Sequence, residues 1–384
     1  MNPIYLDNAA TTQIRDEVIT KMSEVLKSNY GNASSTHAFG RSSKSIIESC
    51  RKRIAAHINA LPSEIIFTSG GTEADNLALR SSVKDLKVTH IITSKIEHHA
   101  VLHTVEQLVL DYGIEVSYVN ISENGCIDYT HFETLLKSTK KTLVSLMHIN
   151  NEIGTILDIQ KVANLCQAHN ALFHSDSVQS IGHYPIDVQQ IPVDFLVASA
   201  HKFHGPKGIG FVFIRKNSGL KSLIVGGTQE RGIRAGTESI HDIVGLDEAL
   251  SLSYEFLEQE NSYVKNLKSY FISELNTHIP GVKFNGSCSD SEISTYTLVN
   301  VCLPVSASNA PMFLFQLDLQ GIACSKGSAC QSGSGKGSHV LSEILKEDDL
   351  NKPSIRFSFC IYNTKNELDT VVGILKGLVK ETNS

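Results

Sequence analysis

The sequence predicts an α/β protein with two parts: a large domain with a mostly parallel sheet between helices, and a smaller α+β domain. Between residues 64 and 215, short runs rich in β-branched residues alternate with helical patterns, which is typical of a parallel sheet covered by helices. A helical stretch with little glycine or proline follows, from about residue 241 to residue 279. Two more strand-like runs come after it and indicate the smaller domain.

The strands of the larger domain are predicted from short apolar runs that end in polar or turn-forming residues. They cover residues 64–68, 90–94, 116–119, 142–148, 171–175 and 195–200. The run 208–214 follows a Gly-Pro turn, and we interpret it as a return strand that can run antiparallel. The runs 297–303 and 355–359 supply strands of the smaller domain.

Composition excludes several classes of function. The chain has 384 residues, 41% of them hydrophobic and 19% charged, and a formal net charge of -6. It has no basic stripe, so direct binding of nucleic acid is disfavoured. The first twelve residues do not resemble a secretion signal, and no apolar run is long enough to span a membrane. We therefore expect a cytoplasmic protein.

The first strand of the larger domain leads into a pattern suited to phosphate. Ser69, Gly70 and Gly71 form a turn, and a helix begins at Thr72. Glycines let the backbone approach a ligand closely, and the amide groups at the start of a helix attract an anion. The fragment therefore indicates a phosphate site, although many glycine turns simply lead into helices.

Two ionisable residues lie at the ends of predicted strands. Asp176 ends the strand near 171–175, and Lys202 follows the strand near 195–200 and precedes a Gly-Pro turn. Ligands of open α/β sheets bind at the carboxyl ends of the strands, and a lysine there suits a Schiff base. Taken singly, Asp176 could cap the next helix and Lys202 could be a surface charge.

The 8 cysteines include no CxxC pair, so neither a zinc ribbon nor a disulfide framework is indicated. Most are expected to be small buried residues. Cys330 differs, because residues 325–338 are rich in glycine, serine and lysine and predict a mobile loop. Cys324 could form a disulfide with it under oxidation, but a strand position is the simpler interpretation. No metal is expected, because the paired histidines lack a third ligand at a useful spacing.

Eight segments together carry a family resemblance. They are YLDNAATT (5–12), GNASSTH (31–37), TSGGTEADN (68–76), EHHAV (97–101), NNEIG (150–154), GGTQERGIRAGT (226–237), GSAC (327–330) and IRFS (355–358). With the Asp176 and Lys202 regions, they resemble the aminotransferase class V group of pyridoxal-phosphate enzymes. The finer matches resemble the cysteine desulfurases of the NifS/IscS type.

The resemblance implies pyridoxal 5'-phosphate as cofactor and a fold of pyridoxal-phosphate type I. Lys202 would hold the cofactor and shuttle the substrate Cα proton, while Asp176 would pair with the ring nitrogen. Gln179 would contact the ring hydroxyl, and His98 would stack on the ring and assist proton transfer. The remaining cofactor and substrate contacts implied are Gly71, Thr72, Ser199 and His201 for the phosphate, Thr237 for the phosphate of the neighbouring subunit, and Asn151 and Arg356 for the substrate carboxylate.

The resemblance also implies a reaction. Cys330 would take sulfur from L-cysteine, leaving L-alanine and an enzyme persulfide, and pass the sulfur to a protein acceptor in iron–sulfur cluster assembly or tRNA thiolation. Three alternatives stay open: a selenocysteine lyase, an aminotransferase on the same scaffold, and a non-catalytic scaffold. A transaminase needs no mobile thiol, and a degenerate scaffold should have lost Lys202, Asp176 or Cys330, so the sequence favours the desulfurase.

Organisation follows the same resemblance. We expect a homodimer with shared sites, a large cofactor-binding domain at 13–255 and a small domain at 256–384, with residues 1–12 packing near the latter. The chain departs from the family pattern at Ala33, Lys326 and Cys360, where proline, serine and glycine are usual. It also stops at Ser384 without the longer tail that helps housekeeping members dock an iron–sulfur scaffold, which puts that partner in doubt.

Overall fold

The computed structural model describes residues 3–305, 310–327 and 337–382. Its strands in these ranges are β1 (Ile4–Tyr5), β2 (Ile65–Thr68), β3 (His90–Thr93), β4 (Glu115–Tyr118), β5 (Thr142–Ser145), β6 (Leu172–Asp176), β7 (Phe195–Ser199), β8 (Gly210–Ile214), β9 (Lys283–Phe284), β10 (Leu298–Cys302), β11 (Ile322–Ala323) and β12 (Ser354–Ser358). Its helices are α1 (Asp16–Ser28), α2 (Ala38–His57), α3 (Gly71–Lys84), α4 (His99–Tyr112), α5 (Tyr129–Leu136), α6 (Ile159–Ala168), α7 (Ile240–Glu255), α8 (Leu257–His278), α9 (Ala310–Leu319), α10 (His339–Ile344), α11 (Glu347–Leu350) and α12 (Lys365–Thr382). Within the described residues, none of these helices is long and apolar enough to cross a membrane.

Seven strands form the central sheet, in the order β2-β8-β7-β6-β5-β3-β4. Strand β8 is antiparallel to both of its neighbours, and the other strands of this sheet run in one direction. The mixed but mostly parallel sheet confirms the predicted α/β class and the antiparallel return strand. All residues of β7 are buried, because helices cover both faces of the sheet.

Side chains of β7 alternate between two apolar layers. Leu196 and Ala198 pack in a layer that also contains Ile54 of α2 and Leu246 of α7. Phe195 and the other residues of opposite orientation pack with α3 and α4. Two buried layers on a single sheet explain why its strands are continuous apolar runs in the sequence.

The shared strand direction creates the site. Strands β2, β3, β5, β6 and β7 run the same way, so their carboxyl ends reach the same edge of the sheet. The segments that follow these strands are the ones singled out in the sequence. Gly71, His98, Asn151, Asp176 and Lys202 are therefore brought together although they span 131 residues of chain (202 − 71).

A second apolar cluster surrounds a three-stranded antiparallel sheet of order β12-β10-β9. The ring of Phe271 on α8 lies 5.2 Å from that of Phe357 and 5.6 Å from that of Phe359. The predicted helical stretch 241–279 is two helices, because α7 ends at Glu255 and α8 begins at Leu257. Phe256 between them has φ −101° and ψ 13°, outside the helical region, and no glycine or proline marks the break in the sequence.

The N-terminal residues connect the three-stranded sheet with the central sheet. Strand β1 pairs in parallel with β11, and Asp7 forms a bridge with Ser358 at the end of β12. Farther along, the backbone N–H of Thr12 donates to the carbonyl of His201 at 2.9 Å. The segment 4–12 thus starts in the smaller apolar cluster and ends beside the edge of the central sheet.

Candidate active site

A cavity of about 200 Å³ opens at the carboxyl edge of the central sheet. It is lined by most of the site residues predicted from the sequence: Gly71, Thr72, His98, Asn151, Asp176, Gln179, Ser199, His201, Lys202 and Arg356. Two predicted residues stand apart. Thr237 is exposed and does not line this cavity, and Cys330 lies outside the described residues.

Lys202 ends a short 3-10 turn, Ala200–Lys202, that follows β7 directly. Its Nζ donates hydrogen bonds to the carbonyl oxygens of Ala9 at 2.6 Å and Ala10 at 2.8 Å. These carbonyls come from the N-terminal segment, so the sequence near Lys202 gives no sign of them. They aim the amine into the cavity that holds the other predicted residues.

Asp176 is the last residue of β6 and is buried beside this amine. Burial raises the pKa of its carboxyl, while the hydrogen bond from the Val178 N–H at 3.0 Å and the charge of Lys202 oppose that rise. An opposite charge and a backbone donor both favour the ionised form. The carboxylate is therefore ready to pair with a cationic group that enters the cavity.

Asp75 also faces the cavity, and the sequence analysis assigned it no role. It is buried on α3, where its Oδ1 lies 3.3 Å from Nε2 of His174, and Nδ1 of that histidine lies 2.9 Å from the Ser145 hydroxyl. Burial holds the pKa of Asp75 well above its usual range, and the nearby charges of Asp176 and Glu97 add to the effect. The sequence did contain a signal for this residue, because Asp75 is a carboxylate among the buried apolar positions of α3.

His98 occupies the N-cap position of α4, where its Nδ1 accepts a hydrogen bond from the Ala100 N–H at 3.1 Å. Burial, followed by the charge of Lys202, lowers the pKa of His98 to about 4. The imidazole is therefore neutral at physiological pH and presents an uncharged ring to the cavity.

The N-terminus of α3 provides an anion cradle. Its N-cap residue, Gly70, has φ 148° and contributes no side-chain cap to the helix. A Cβ added at Gly71 would lie 2.8 Å from a methyl group of Val178, so a larger residue there would force that side chain to move. Nearby, Nδ1 of His201 is buried and has no hydrogen-bond partner among the described residues. An uncapped helix start beside an unsatisfied ring nitrogen suits a phosphate group.

Arg356 supplies a second group suited to an anion at the same cavity. Its guanidinium is 1% exposed, and it donates from Nη1 to the Asn151 carbonyl at 2.8 Å and from Nη2 to Asp7 Oδ1 at 2.7 Å. Its buried Nε has no partner among the described residues. A guanidinium with one unmatched donor beside a cavity suits a small carboxylate.

Other expectations concern cysteines and metals. The cysteines of the described residues are all free, and Cys324 follows β11 with its pKa raised to about 12 by burial. Its pairing with Cys330 falls outside the described residues. In the ranges that the structure covers, no group of three histidine, cysteine, aspartate or glutamate side chains could hold a metal ion.

Comparison with known proteins decides the family, because residues 4–371 match the aminotransferase class-V family. The chain belongs to the aminotransferase class-V family. A member from Dictyoglomus turgidum, named cysteine desulfurase IscS, is 41% identical over 383 residues, which cover 98% of this chain and 95% of that protein. Both lengths are matched almost entirely, so the similarity extends over the central sheet and the smaller sheets.

Solved structures of similar proteins agree with the class-V assignment. A NifS-like protein superposes with a TM-score of 0.89 at 33% identity, over 98% of this chain and 99% of its own. A second structure, titled SspA in complex with cysteine, has a TM-score of 0.81 at 32% identity over 94% of this chain and 100% of its own. The described fold is therefore the pyridoxal-phosphate fold type I.

Class-V enzymes depend on pyridoxal 5'-phosphate, and the residues of this cavity fit that cofactor. The α3 cradle and the orphaned His201 nitrogen fit its phosphate. The buried carboxylate of Asp176 fits its cationic ring nitrogen, and the Lys202 amine lies in the same cavity. The protein is a pyridoxal-phosphate-dependent enzyme.

Proposed function

We propose that this protein is a cysteine desulfurase, which converts L-cysteine to L-alanine and transfers the sulfur to Cys330 as a persulfide. The proposal rests on the buried Nε of Arg356, which has no hydrogen-bond partner in the part of the chain that the structure describes and lies at the cavity that contains Lys202. An α-amino acid has a carboxylate that can bind to the Arg356 guanidinium. It also has an amino group that can react at the position held by Lys202. Relatives named cysteine desulfurase and a cysteine-bound structural neighbour support the choice of substrate.

The cofactor, when bound, supplies an electron sink that stabilises negative charge at the substrate Cα. We assign Lys202 to covalent attachment, Asp176 to the ring nitrogen, Gln179 to the ring hydroxyl and His98 to the ring face. Gly71, Thr72, Ser199 and His201 are assigned to the phosphate. Ionised Asp176 keeps the ring nitrogen protonated, because loss of that proton would leave a buried carboxylate without a counter-charge.

We assign the transfer of the substrate Cα proton to Lys202 and His98. The carbonyls of Ala9 and Ala10 hold the Lys202 amine at the cavity edge, and the low pKa of His98 leaves its imidazole uncharged and able to accept a proton. Asn151 and Arg356 orient the substrate carboxylate, which fixes the position of the Cα–H bond relative to the amine.

The sulfur step is assigned to Cys330. Its thiolate attacks the substrate sulfur and forms an S–S bond, while the carbon–sulfur bond breaks. The electron pair of the broken bond stays with the carbon, which takes up a proton and becomes the methyl group of alanine. A protein acceptor then takes the sulfur for iron–sulfur cluster assembly or tRNA thiolation, in the cytoplasm.

We propose a homodimer whose interface includes exposed apolar side chains, among them Leu26, Tyr30, Phe39 and Val225. Val225 is 81% exposed and Tyr30 75%, and the rings of Tyr30 and Phe39 stack with their centroids 5.4 Å apart. Exposed apolar groups of this size favour association. Thr237, twelve residues after Val225, would then reach the phosphate site of the partner.

Domain limits are part of the same proposal. We assign residues 13–255 to the large cofactor-binding domain and 256–384 to the small one, with residues 1–12 beside the small one. The break at Phe256 and the separate apolar cluster around β10 and β12 support these limits.

The test is the release of alanine and sulfide from L-cysteine with a thiol reductant, compared between wild type and Cys330→Ala. Equal amounts from wild type and nearly none from Cys330→Ala are expected. Full activity in Cys330→Ala would refute the persulfide assignment. A holoenzyme inactive on cysteine would lead to assays with selenocysteine and then with a keto-acid acceptor, which test the lyase and aminotransferase alternatives.

A further inference from the structure

A cavity of about 160 Å³ lies against one face of α8 and shares no lining residue with the catalytic cavity. The residues that α8 contributes recur at helical spacing: Asn261, Lys265, Lys268, Ser269 and Ile272. The other walls come from Ile156 after β5, Tyr184 after β6 and residues of the segment 288–296. The cavity therefore lies where loops of the central sheet meet the helix that packs on the smaller sheet, and such junctions are common ligand sites.

Lys268 is the buried cation of this cavity. Its side chain is only 5% exposed and lies on α8 among the buried apolar residues Leu267 and Phe271. Its Nζ donates hydrogen bonds to the Ser294 hydroxyl at 2.9 Å and to the Thr295 carbonyl at 2.6 Å. An ammonium group has three hydrogens, so these two acceptors leave one hydrogen for a further partner.

The charge of this ammonium is poorly balanced. In the part of the chain that the structure describes, both of its acceptors are neutral groups. A buried cation without a counter-charge costs stability. Burial accordingly lowers the pKa of Lys268 to about 8 and nearby Lys265 adds to this effect, while Cys288 and Asp290 oppose it. An anion that enters the cavity would supply the missing charge.

Charge and shape narrow the class of that anion. Lys265 adds a second positive charge at the exposed rim, and Glu292 at the same rim offsets it. With the buried ammonium, the lining carries a net charge near +1, which matches a monoanion better than a dianion. Ile156, Ile272 and the ring of Tyr296 offer apolar contacts for a short hydrocarbon chain. The volume is below the roughly 300 Å³ of the smallest sites for drug-sized ligands, so the ligand has few atoms.

We propose that this cavity is a binding site for a short-chain carboxylate, with the carboxylate on Lys268 and the chain against Ile156 and Ile272. A hydrogen bond between an ammonium and a carboxylate is stronger than one between neutral groups. The exposed hydroxyls of Ser269 and Ser291, which also line the cavity, can donate to the second carboxylate oxygen. The site does not depend on the reaction assigned to the catalytic cavity.

The experiment is isothermal titration calorimetry of the holoenzyme with sodium butyrate and with butyramide, which has the same shape without the charge. Lys268→Met keeps an unbranched side chain and should weaken butyrate binding at least about tenfold. Lys21→Met, which removes an exposed cation of α1, is the control and should bind butyrate as wild type does. Any butyrate bound near Arg356 persists in Lys268→Met, so the lost component reports the cavity beside α8.

Three results would overturn the inference. They are the absence of saturable butyrate binding by wild type, equal binding by wild type and Lys268→Met, and butyramide binding as tight as that of butyrate. Inorganic phosphate is titrated as a competitor. If phosphate displaces butyrate at a lower concentration than a second carboxylate does, the carboxylate assignment is wrong.

A variant at the rim keeps the proposal testable if Lys268→Met does not fold. Ser269 is exposed on α8, so Ser269→Phe places a ring over the cavity without removing the hydrogen bonds of Lys268. The ring should exclude butyrate, and the corresponding component of the titration should disappear. Unchanged butyrate binding by Ser269→Phe would contradict the proposed location.

Butyrate affinity should also fall about tenfold between pH 7 and pH 9, because the carboxylate binds the protonated form of Lys268, whose pKa is about 8. The other ionisable groups near this ammonium are Lys265, Cys288, Asp290, Glu292, Tyr184 and Tyr296. Burial raises the pKa of the Cys288 thiol to about 11 and raises the pKa values of both phenols, so these three stay neutral. A constant affinity over this range would contradict Lys268 as the binding group.

Discussion

The guanidinium of Arg356 donates a hydrogen bond from Nη2 to Oδ1 of Asp7 at 2.7 Å, although 349 residues separate the two in sequence. Asp7 provides the described carboxylate that pairs with this buried cation. The contact joins the N-terminal segment to β12, and it also fixes the orientation of the planar guanidinium beside the cavity.

Replacing Asp7 should therefore destabilise the protein. Asp7→Ala leaves a buried guanidinium without its counter-charge and should lower the free energy of unfolding by about 2–4 kcal/mol, whereas Asp7→Asn keeps an acceptor and should lose less. Urea unfolding of the holoenzyme followed by circular dichroism measures the change. Glu24→Ala, which removes an exposed ion pair with Lys21, is the control and should have almost no effect. Equal stabilities for Asp7→Ala and wild type would contradict the assignment.

Arg356→Lys should separate charge from geometry. Lysine keeps the positive charge but cannot offer two parallel donors to a carboxylate. KM for L-cysteine should rise roughly 10- to 100-fold, with a smaller change in kcat, because the interaction acts mainly on bound substrate. Steady-state kinetics provide the measurement. An unchanged KM would remove Arg356 from the substrate clamp.

Lys202→Ala should abolish both covalent retention of the cofactor and the transfer of the Cα proton. We expect kcat to fall by at least about a thousandfold. Borohydride reduction first makes the lysine–cofactor linkage permanent, and gel filtration in denaturant followed by an absorption spectrum then tests retention. Lys207→Ala, an exposed lysine five residues away, is the matched control and should keep the chromophore. A chromophore that stays covalently bound in Lys202→Ala would assign the attachment to another lysine.

Glu97 should make stability depend on pH. Burial raises the pKa of this carboxyl from 4.5 to about 8, so the folded protein holds the proton more tightly than the unfolded chain. Its contribution favours folding fully below the unfolded pKa and is lost as the pH rises towards 8. Between pH 5 and pH 8, wild type should therefore lose about 3 kcal/mol relative to Glu97→Gln. Parallel stability curves for the two proteins over this range would contradict the burial argument.

Val225→Asp tests whether this exposed side chain lies in the proposed dimer interface. A charge at a site that is 81% exposed in one chain costs little in a monomer but is expensive in an apolar interface. The variant should sediment as a monomer and bind the cofactor more weakly, because the partner's Thr237 is withdrawn. Leu110→Asp, 78% exposed on α4, is the control and should leave the oligomeric state unchanged.

Local sequence predicted the central sheet and most of the cavity, since the signals at Asp176 and Lys202 lie within a few residues of their strands. The groups that complete the site come from far away in the chain. Ala9 and Ala10 contribute carbonyls to Lys202 across more than 190 residues, and only folding brings them together. Asp75 was missed because its partner, His174, belongs to another element. The break at Phe256 was missed because that residue carries no turn-forming preference.

The path of the N-terminal segment has a consequence for biosynthesis. Ala9 and Ala10, whose carbonyls bind the Lys202 amine, are among the first residues to leave the ribosome. Strand β1, however, pairs only with Ile322 and Ala323. Until that stretch has been translated, β1 has no strand to pair with, and the segment 4–12 is held only at its far end, where Thr12 contacts His201. Full anchoring of the segment that contacts the Lys202 amine therefore waits until about five-sixths of the polypeptide has been made.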